Sequence, residues 1–335
     1  MVSPRRLPAR AVRFANYGGV DVLEIVPIEK PVAGPGEVVV EVMAAGINHI
    51  EAFVRQGLFR DEMPLDFPQG QGSDFAGIVS SIGEGVTHFA KGSEVLGHTT
   101  MGSQATHLVV PQENLVAKPA SLSWEIAGSL FLAGLAAYEA VQAVNVVAGE
   151  TIVISAAAGG VGAMEAHLAM IKGATVIGTC GERNFDYLRH IGVKPVVYGD
   201  GLTDRIRALA PNGVSAYIDN FGKNNRDVSL ELGVSPSRFQ SSDHRREVEL
   251  RAMRPSRESA ESQTRILAKL AGFAADRSLN VLISGFYPFD RVREAFDDLE
   301  QRHARGKVVL GMRPVDNSFH GLGSRKLRDE QELRA

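Results

Sequence analysis

Residues 151–162 read Thr-Ile-Val-Ile-Ser-Ala-Ala-Ala-Gly-Gly-Val-Gly, and no other stretch restricts the fold of this chain so tightly. The β-branched run at its start favours a strand. The small residues after it make a tight turn, and Val161 to Lys172 is compatible with a helix. This order lets a pyrophosphate approach the backbone closely, where unpaired N–H groups and the positive end of a helix dipole meet its charge. Ala157, Gly159 and Gly162 have the spacing of the dinucleotide pattern G-x-G-x-x-G, with alanine in the first place, and Gly160 and Val161 fill the interval. A strand-to-helix turn without a ligand would carry the same letters. The strand that follows, Ala174 to Thr179, favours the nucleotide reading.

Beyond this turn, strand-like segments recur at Val196 to Tyr198 and Val214 to Asp219, each separated from the last by enough residues for a crossover helix. The order predicts a parallel sheet covered by helices. Before it, from Val38 to Val42 and from Gly77 to Ile82, β-branched runs follow or precede glycine turns and read as strands. Ala133 to Ala143 has helical texture. So do Glu258 to Ala275, with Ile266, Leu267, Leu270 and Phe273 on one stripe, and Asp290 to Glu300, with Val292, Ala295, Phe296 and Leu299. Lys307 to Met312 returns to strand character, and residues 314–335 read as a polar, mobile tail.

Composition excludes several classes. The 335 residues suit about two domains. Apolar residues make up 44% and charged residues 22%, as in ordinary globular proteins. A net charge of −3 argues against nucleic acid as a partner. A single cysteine, Cys180, allows no internal disulfide and no Cys-type zinc site, so a reducing, cytoplasmic setting is expected. No apolar run approaches the ~20 residues of a membrane-spanning helix.

Cofactor choice is read at the end of the second strand. NAD-binding sheets usually carry Asp or Glu there, about 20 residues past the glycines, to bond the ribose hydroxyls. Here Thr179 and Cys180 are followed by Gly181, Glu182 and Arg183. A guanidinium beyond a strand end that lacks a carboxylate tolerates a 2′-phosphate and can pair with it, which favours NADPH. Glu182 could still serve a ribose, and Cys180 reads as a packing residue. The Tyr-x-x-x-Lys pattern of short-chain reductases occurs nowhere in the chain.

The chain resembles the medium-chain dehydrogenase/reductase superfamily, and within it the zinc-independent quinone oxidoreductase, or ζ-crystallin-like, branch. The resemblance is carried by Ala44-Ala-Gly-Ile-Asn-His-Ile-Glu51, Gly72-Ser-Asp-Phe-Ala-Gly-Ile-Val79, Gly83-Glu-Gly-Val86, the glycine turn, and Arg305-Gly-Lys-Val-Val-Leu310. It implies an α/β protein in which a GroES-like, β-rich catalytic domain (residues 1–124 and 278–313) accompanies a doubly wound Rossmann NADP-binding domain (residues 125–277), with a cleft where the two meet. It also implies a homodimer.

Zinc-dependent relatives place a cysteine at the position of Asn48, a histidine at that of Ser73 and a third ligand near Ala133. None of these residues is a zinc ligand here, and His49, His88, His98 and His107 lack ligand spacing. A metal-free hydride transfer to a quinone or an α,β-unsaturated carbonyl is therefore expected. By resemblance, Asn48 lies near the nicotinamide as a hydrogen-bond donor, with His49 and Glu51 as candidates for proton delivery. Tyr198 matches a position on the adenine side, and Asn220 and Phe221 complete the expected cofactor contacts. Where relatives often carry tyrosines, this chain has Phe53 and Phe59, which predicts an apolar, aromatic-walled pocket for a hydrophobic substrate. The segment Ser237 to His244, where a fifth Rossmann strand should run, is too polar for a central strand. Two other readings use the same scaffold. One is a dedicated enoyl reductase or cyclase in a biosynthetic pathway; the other is an NADPH-binding sensor or structural protein without turnover.

Overall fold

The computed structural model describes residues 8–301 and 305–312; the expected tail at residues 314–335 lies outside them. Eight strands come first: β1 (Ala9–Phe14), β2 (Glu24–Ile28), β3 (Glu37–Ile47), β4 (Gln69–Gly70), β5 (Asp74–Ile82), β6 (Glu94–His98), β7 (His107–Pro111) and β8 (Leu115–Ala117), with helix α1 (His49–Arg55) after β3. Helices α2 (Trp124–Ala127) and α3 (Phe131–Ala143) lead into an alternating stretch: β9 (Thr151–Ile154), α4 (Gly160–Ile171), β10 (Thr175–Cys180), α5 (Phe185–His190), β11 (Lys194–Val197), α6 (Leu202–Leu209), β12 (Ala216–Ile218), α7 (Asn225–Glu231) and β13 (Phe239–Gln240). The chain continues through α8 (Ser242–Ala252), α9 (Arg257–Ala275), β14 (Ile283–Pro288), α10 (Val292–Glu300) and β15 (Lys307–Gly311). The described residues form two compact units, one from residues 8–131, 253–265, 283–301 and 305–312, the other from residues 132–252 and 266–282.

The first unit is β-rich. Its main sheet runs β14-β15-β3-β5-β6-β8, with β7 also pairing β3, and a second sheet runs β2-β1-β4. Strand β3 is its axis. Val38, Val39, Val40, Val42, Ala44, Ala45 and Ile47 are all buried along it, so both faces of the strand are covered. Strand β15 joins β3 antiparallel, with Val308 opposite Ile47. Helix α10 buries the stripe expected from its spacing, Val292, Ala295, Phe296 and Leu299, in the same core as Val12, Phe14 and Val308. The Arg55 guanidinium lies 4.8 Å from the Phe296 ring and pairs with Glu300 at 2.6 Å, tying α1 to α10.

The second unit holds a parallel sheet of order β11-β10-β9-β12-β13. Val153, Ile177, Val196, Ile206 and Tyr217 form the core on one side of it. Helices α3 and α4 are buried nearly all round, which explains their lack of an amphipathic pattern. The polar segment Ser237 to His244 resolves into a strand of only two residues at the sheet edge, with Tyr217 opposite Phe239 and Ile218 opposite Gln240. A polar helix, α8, takes over at Ser242. Polarity is tolerated there because an edge strand needs a partner on one side only.

Truncating Phe296 to alanine should cost about 3–5 kcal/mol by cavity formation. Trp124 is the single tryptophan and lies in α2 of the first unit, so its fluorescence during urea unfolding reads that unit. A loss below about 1 kcal/mol would contradict the packing described.

Candidate functional site

Two polar clusters stand out, one in each unit. In the second unit, the first is built at the carboxyl ends of the parallel strands, where open α/β sheets bind ligands. Strand β9 ends at Ile154 and the chain turns at once. Ser155 Oγ donates to Asp219 Oδ1 at 2.7 Å, and Asn220 N donates back to Ser155 Oγ at 2.8 Å, so the ends of β9 and β12 are stitched together. Asp219 also accepts from Phe221 N at 2.9 Å, Gly222 N at 3.0 Å and Asn225 Nδ2 at 2.7 Å, which folds the following loop onto its carboxylate.

Ala156 takes a left-handed conformation, φ 49°. Its N–H donates to Thr179 Oγ1 at 3.2 Å, and Ala157 N donates to Thr179 O at 3.0 Å. Gly159 caps α4 in an extended conformation, and the first helical bond is Ala163 N to Gly159 O at 3.0 Å. The N–H groups of Gly160, Val161 and Gly162 therefore precede the ladder and point out of the helix start. A Cβ at Gly162 would lie 2.6 Å from Ala156 O and 2.9 Å from Ala157 Cα; only glycine allows the turn to close so tightly on the helix.

The structure thus brings Ala157, Gly159, Gly160, Val161, Gly162, Thr179 and Asn220 to one edge of the sheet. Gly181 follows β10, and a Cβ there would stand 3.8 Å from the Tyr198 hydroxyl, so these two expected contacts are neighbours. Tyr198 lies one residue past β11 and is 63% exposed. Arg205 holds its loop by donating to Val197 O at 3.0 Å and Asp200 O at 2.7 Å. Arg183 is exposed, and Phe221 is 55% exposed with Lys223 Nζ 5.3 Å from its ring centre. Cys180 is buried at the end of β10. One participant escaped the sequence reading. Glu165, fully buried on α4, accepts from Asn220 Nδ2 at 2.5 Å, and burial raises its carboxyl to about 7.

In the first unit, the second cluster surrounds the start of α1. Asn48 is 7% exposed, and Glu51 is fully buried. Glu51 Oε2 accepts from Asn48 N at 3.1 Å, while Oε1 accepts from Asn48 Nδ2 at 3.0 Å and from Ser73 N at 2.9 Å. Lys307, from β15, donates to Ile47 O at 3.1 Å and to Asn48 Oδ1, and its Nζ is 3.8 Å from Asp74 Oδ2. Burial and the neighbouring Asp74 push Glu51 up to about 7, against the pull of Asn48 and Lys307. His49 is half-buried, with Nε2 3.1 Å from Leu299 O; the carbonyl accepts, so that nitrogen carries the proton. Asp74 and Lys307 were not singled out from the sequence as site residues. A lone lysine heading the apolar run Val308 to Leu310 was the available signal.

Comparison with known proteins agrees with this architecture. The alcohol dehydrogenase GroES-like domain matches residues 34–150, and the zinc-binding dehydrogenase domain matches residues 191–310. The quinone oxidoreductase of Salmonella typhimurium is 30% identical over 229 residues, covering 67% of this chain and 69% of its own.

The chain belongs to the medium-chain dehydrogenase/reductase superfamily, in its quinone oxidoreductase branch.

A second member, the chloroplastic NADPH-dependent alkenal/one oxidoreductase of Arabidopsis thaliana, is 29% identical over 322 residues, 89% of this chain and 78% of that one. The solved quinone oxidoreductase of Pseudomonas syringae superposes with a TM-score of 0.75 at 28% identity, covering 91% of this chain and all of that one. Other curated relatives are matched over only 60%, 54% and 53% of their length.

Within this superfamily the residues at hand do not fit a catalytic zinc. Among the described residues no group of three or more His, Cys, Asp or Glu side chains could hold a metal. A lysine ammonium sits against Asn48. The nearby His98 Nε2 is engaged with Thr264 Oγ1 at 2.8 Å, and its ring stacks on Phe131 at 4.3 Å. Among the described residues no helix is long and apolar enough to cross a membrane.

Two outcomes follow from this geometry. Gly162→Val should destabilise the second unit by about 1–3 kcal/mol through overpacking against Ala156 and Ala157; an unchanged melting temperature would contradict that close approach. Glu51 should make the protein less stable as pH rises. Its folded value, about 7, lies above the ordinary 4.5, so the folded state holds a proton that the unfolded chain releases. Its contribution is full below the ordinary value and is lost as pH rises to about 7. Denaturation midpoints from pH 5 to 8 should therefore fall for the wild type relative to Glu51→Gln, and a pH-independent difference would refute the assignment.

Proposed function

We propose that the protein is an NADPH-dependent, metal-free reductase of quinones or α,β-unsaturated carbonyls. The observation that carries the reading is the cradle between Ser155 and Gly162, whose close approach depends on a missing side chain at position 162 and which opens toward unpaired N–H groups. A pyrophosphate suits such a helix start, which offers donors without a competing side chain. Ala157, Gly159, Gly160, Val161 and Gly162 would hold it. Thr179, Gly181 and Tyr198 would flank the adenosine half, and Asn220 and Phe221 the other half. Arg183 offers a guanidinium for a 2′-phosphate, in a strand-end setting that lacks the NAD-type carboxylate. The name of the Arabidopsis relative supports the same cofactor and an alkenal or enone acceptor.

The nicotinamide, when bound, supplies a hydride. What the chain supplies is orientation and charge stabilisation. Asn48 offers a carboxamide N–H to an acceptor's carbonyl oxygen, where negative charge grows as the double bond is reduced. Glu51 reaches that position only through Asn48, because its own carboxyl is fully buried. Holding a proton near neutral pH, it is the acid in contact with Asn48. His49 keeps one ring nitrogen on Leu299 O, which fixes its tautomer. Phe53 and Phe59, both half-buried, suit an apolar acceptor.

Titration of the protein with NADPH and NADH should show tighter NADPH binding, and Arg183→Ala should narrow the gap by about 10-fold, the value of one charge-assisted contact. Equal or tighter NADH binding would overturn the cofactor assignment. A panel of quinones and enones should be reduced with consumption of NADPH. Binding without consumption by any acceptor would instead favour a nucleotide-binding protein without turnover.

A further inference from the structure

A hydrogen-bond donor is of little use unless something fixes which way it points, and in the first unit that task falls to a residue from the far end of the chain. Strand β15 pairs antiparallel with β3 so that Val308 faces Ile47, a register that sets Lys307 beside Asn48. The Lys307 side chain is 4% exposed. Its ammonium is held by Ile47 O at 3.1 Å and by Asn48 Oδ1, with Asp74 Oδ2 at 3.8 Å. On the other side of the same carboxamide, Asn48 Nδ2 donates to Glu51 Oε1 at 3.0 Å.

A buried cation against the oxygen and a buried carboxyl against the nitrogen leave this amide one orientation. Turned over, it would place its NH₂ group against the ammonium and its carbonyl against the Glu51 oxygen, stranding donors and acceptors in a dry interior. The cation has a second effect. An ammionium-bound carbonyl oxygen draws electron density from the amide nitrogen, so the remaining Nδ2–H becomes a stronger donor, as in other polarised hydrogen-bond chains.

We propose that Lys307 is a positioning residue for the reduction, one that locks the Asn48 carboxamide with its Nδ2–H available and polarises it, acting through Asn48 rather than touching the acceptor. The proposal deepens the reductase reading and rests on it for its kinetic arm only. A static staple between β15 and β3 would not require the ammonium to end on a side-chain oxygen, since Ile47 O already offers a backbone acceptor. Lys307 also faces Asp74, whose carboxylate lies 3.8 Å from the ammonium and makes its burial tolerable.

The test compares Lys307→Met, Asn48→Ala and the double variant with the wild-type protein, using NADPH and an enone or quinone acceptor. Lys307→Met should lower kcat about 10-fold or more, approaching the roughly 10²–10³-fold lost when an oxyanion donor is removed outright, while NADPH affinity stays within about twofold. On the Asn48→Ala background the same substitution should cost nothing further. A readout independent of turnover is the side-chain amide signal of Asn48 in ¹⁵N NMR, which should shift in Lys307→Met. The Glu51 carboxyl should titrate above its wild-type value, because Lys307 pulls it down. Should Lys307→Met not fold, Lys307→Arg takes its place, and its loss of kcat must likewise vanish when Asn48 is alanine. Additive losses, an unchanged kcat or an unmoved Asn48 amide would each overturn the proposal. If the wild type reduces no acceptor, the reductase reading fails, and the NMR arm still decides whether Lys307 holds Asn48.

Discussion

The absence of a side chain at position 162 lets the turn after β9 press against the first turn of α4, and the second unit is arranged around that contact. With Ala156 O only 2.6 Å from where a Cβ would be, the turn cannot accept a side chain there without moving away from the helix. Thr179 holds the turn from the neighbouring strand, and Ser155 and Asp219 hold it from the other side. Helix start, strand ends and the loop at Asn220 thereby become one rigid edge, which is what a preorganised ligand site needs.

Electrostatics in the first unit follow a different logic. Glu51, Asp74 and Lys307 are buried together, and their carboxylates and ammonium would be costly one by one. Hydrogen bonds from Asn48 and Ser73 spread that cost, yet burial still leaves Glu51 holding its proton up to about pH 7. The cluster therefore couples an amide, an acid and a cation in one buried place. That cation is fixed on a side chain, and its position is set by the register of β15 against β3.

Much of this was legible in the sequence because it depends on local pattern. The glycine turn, the alternation from β9 to β12 and the buried stripe of α10 each follow from residues within a few positions of one another. Asn48 and Glu51 could be singled out for the same reason, three residues apart at a helix start. Lys307 could not be given a role, since 259 residues separate it from Asn48 and only the pairing of β15 with β3 brings them together. Glu165 was hidden differently: within an otherwise apolar helix nothing marks it as facing Asn220. The polar stretch after Ser237 raised doubt about a strand, and the two-residue β13 shows why both the doubt and the strand were reasonable.

Strand β15 lies between β14 and β3 in the main sheet, although β3 ends more than 250 residues earlier in the chain. A ribosome emits β3 long before its neighbour exists. Until Gly311 has emerged, β3 from Ala44 to Ile47 lacks its partner on one edge, while β7 already pairs the same edge from Glu37 to Glu41. The parallel sheet of the second unit, by contrast, has all its strands once Gln240 is made. The unit that starts later in the chain is thus able to close first, and the final strand delivers the lysine as it seals the sheet of the other.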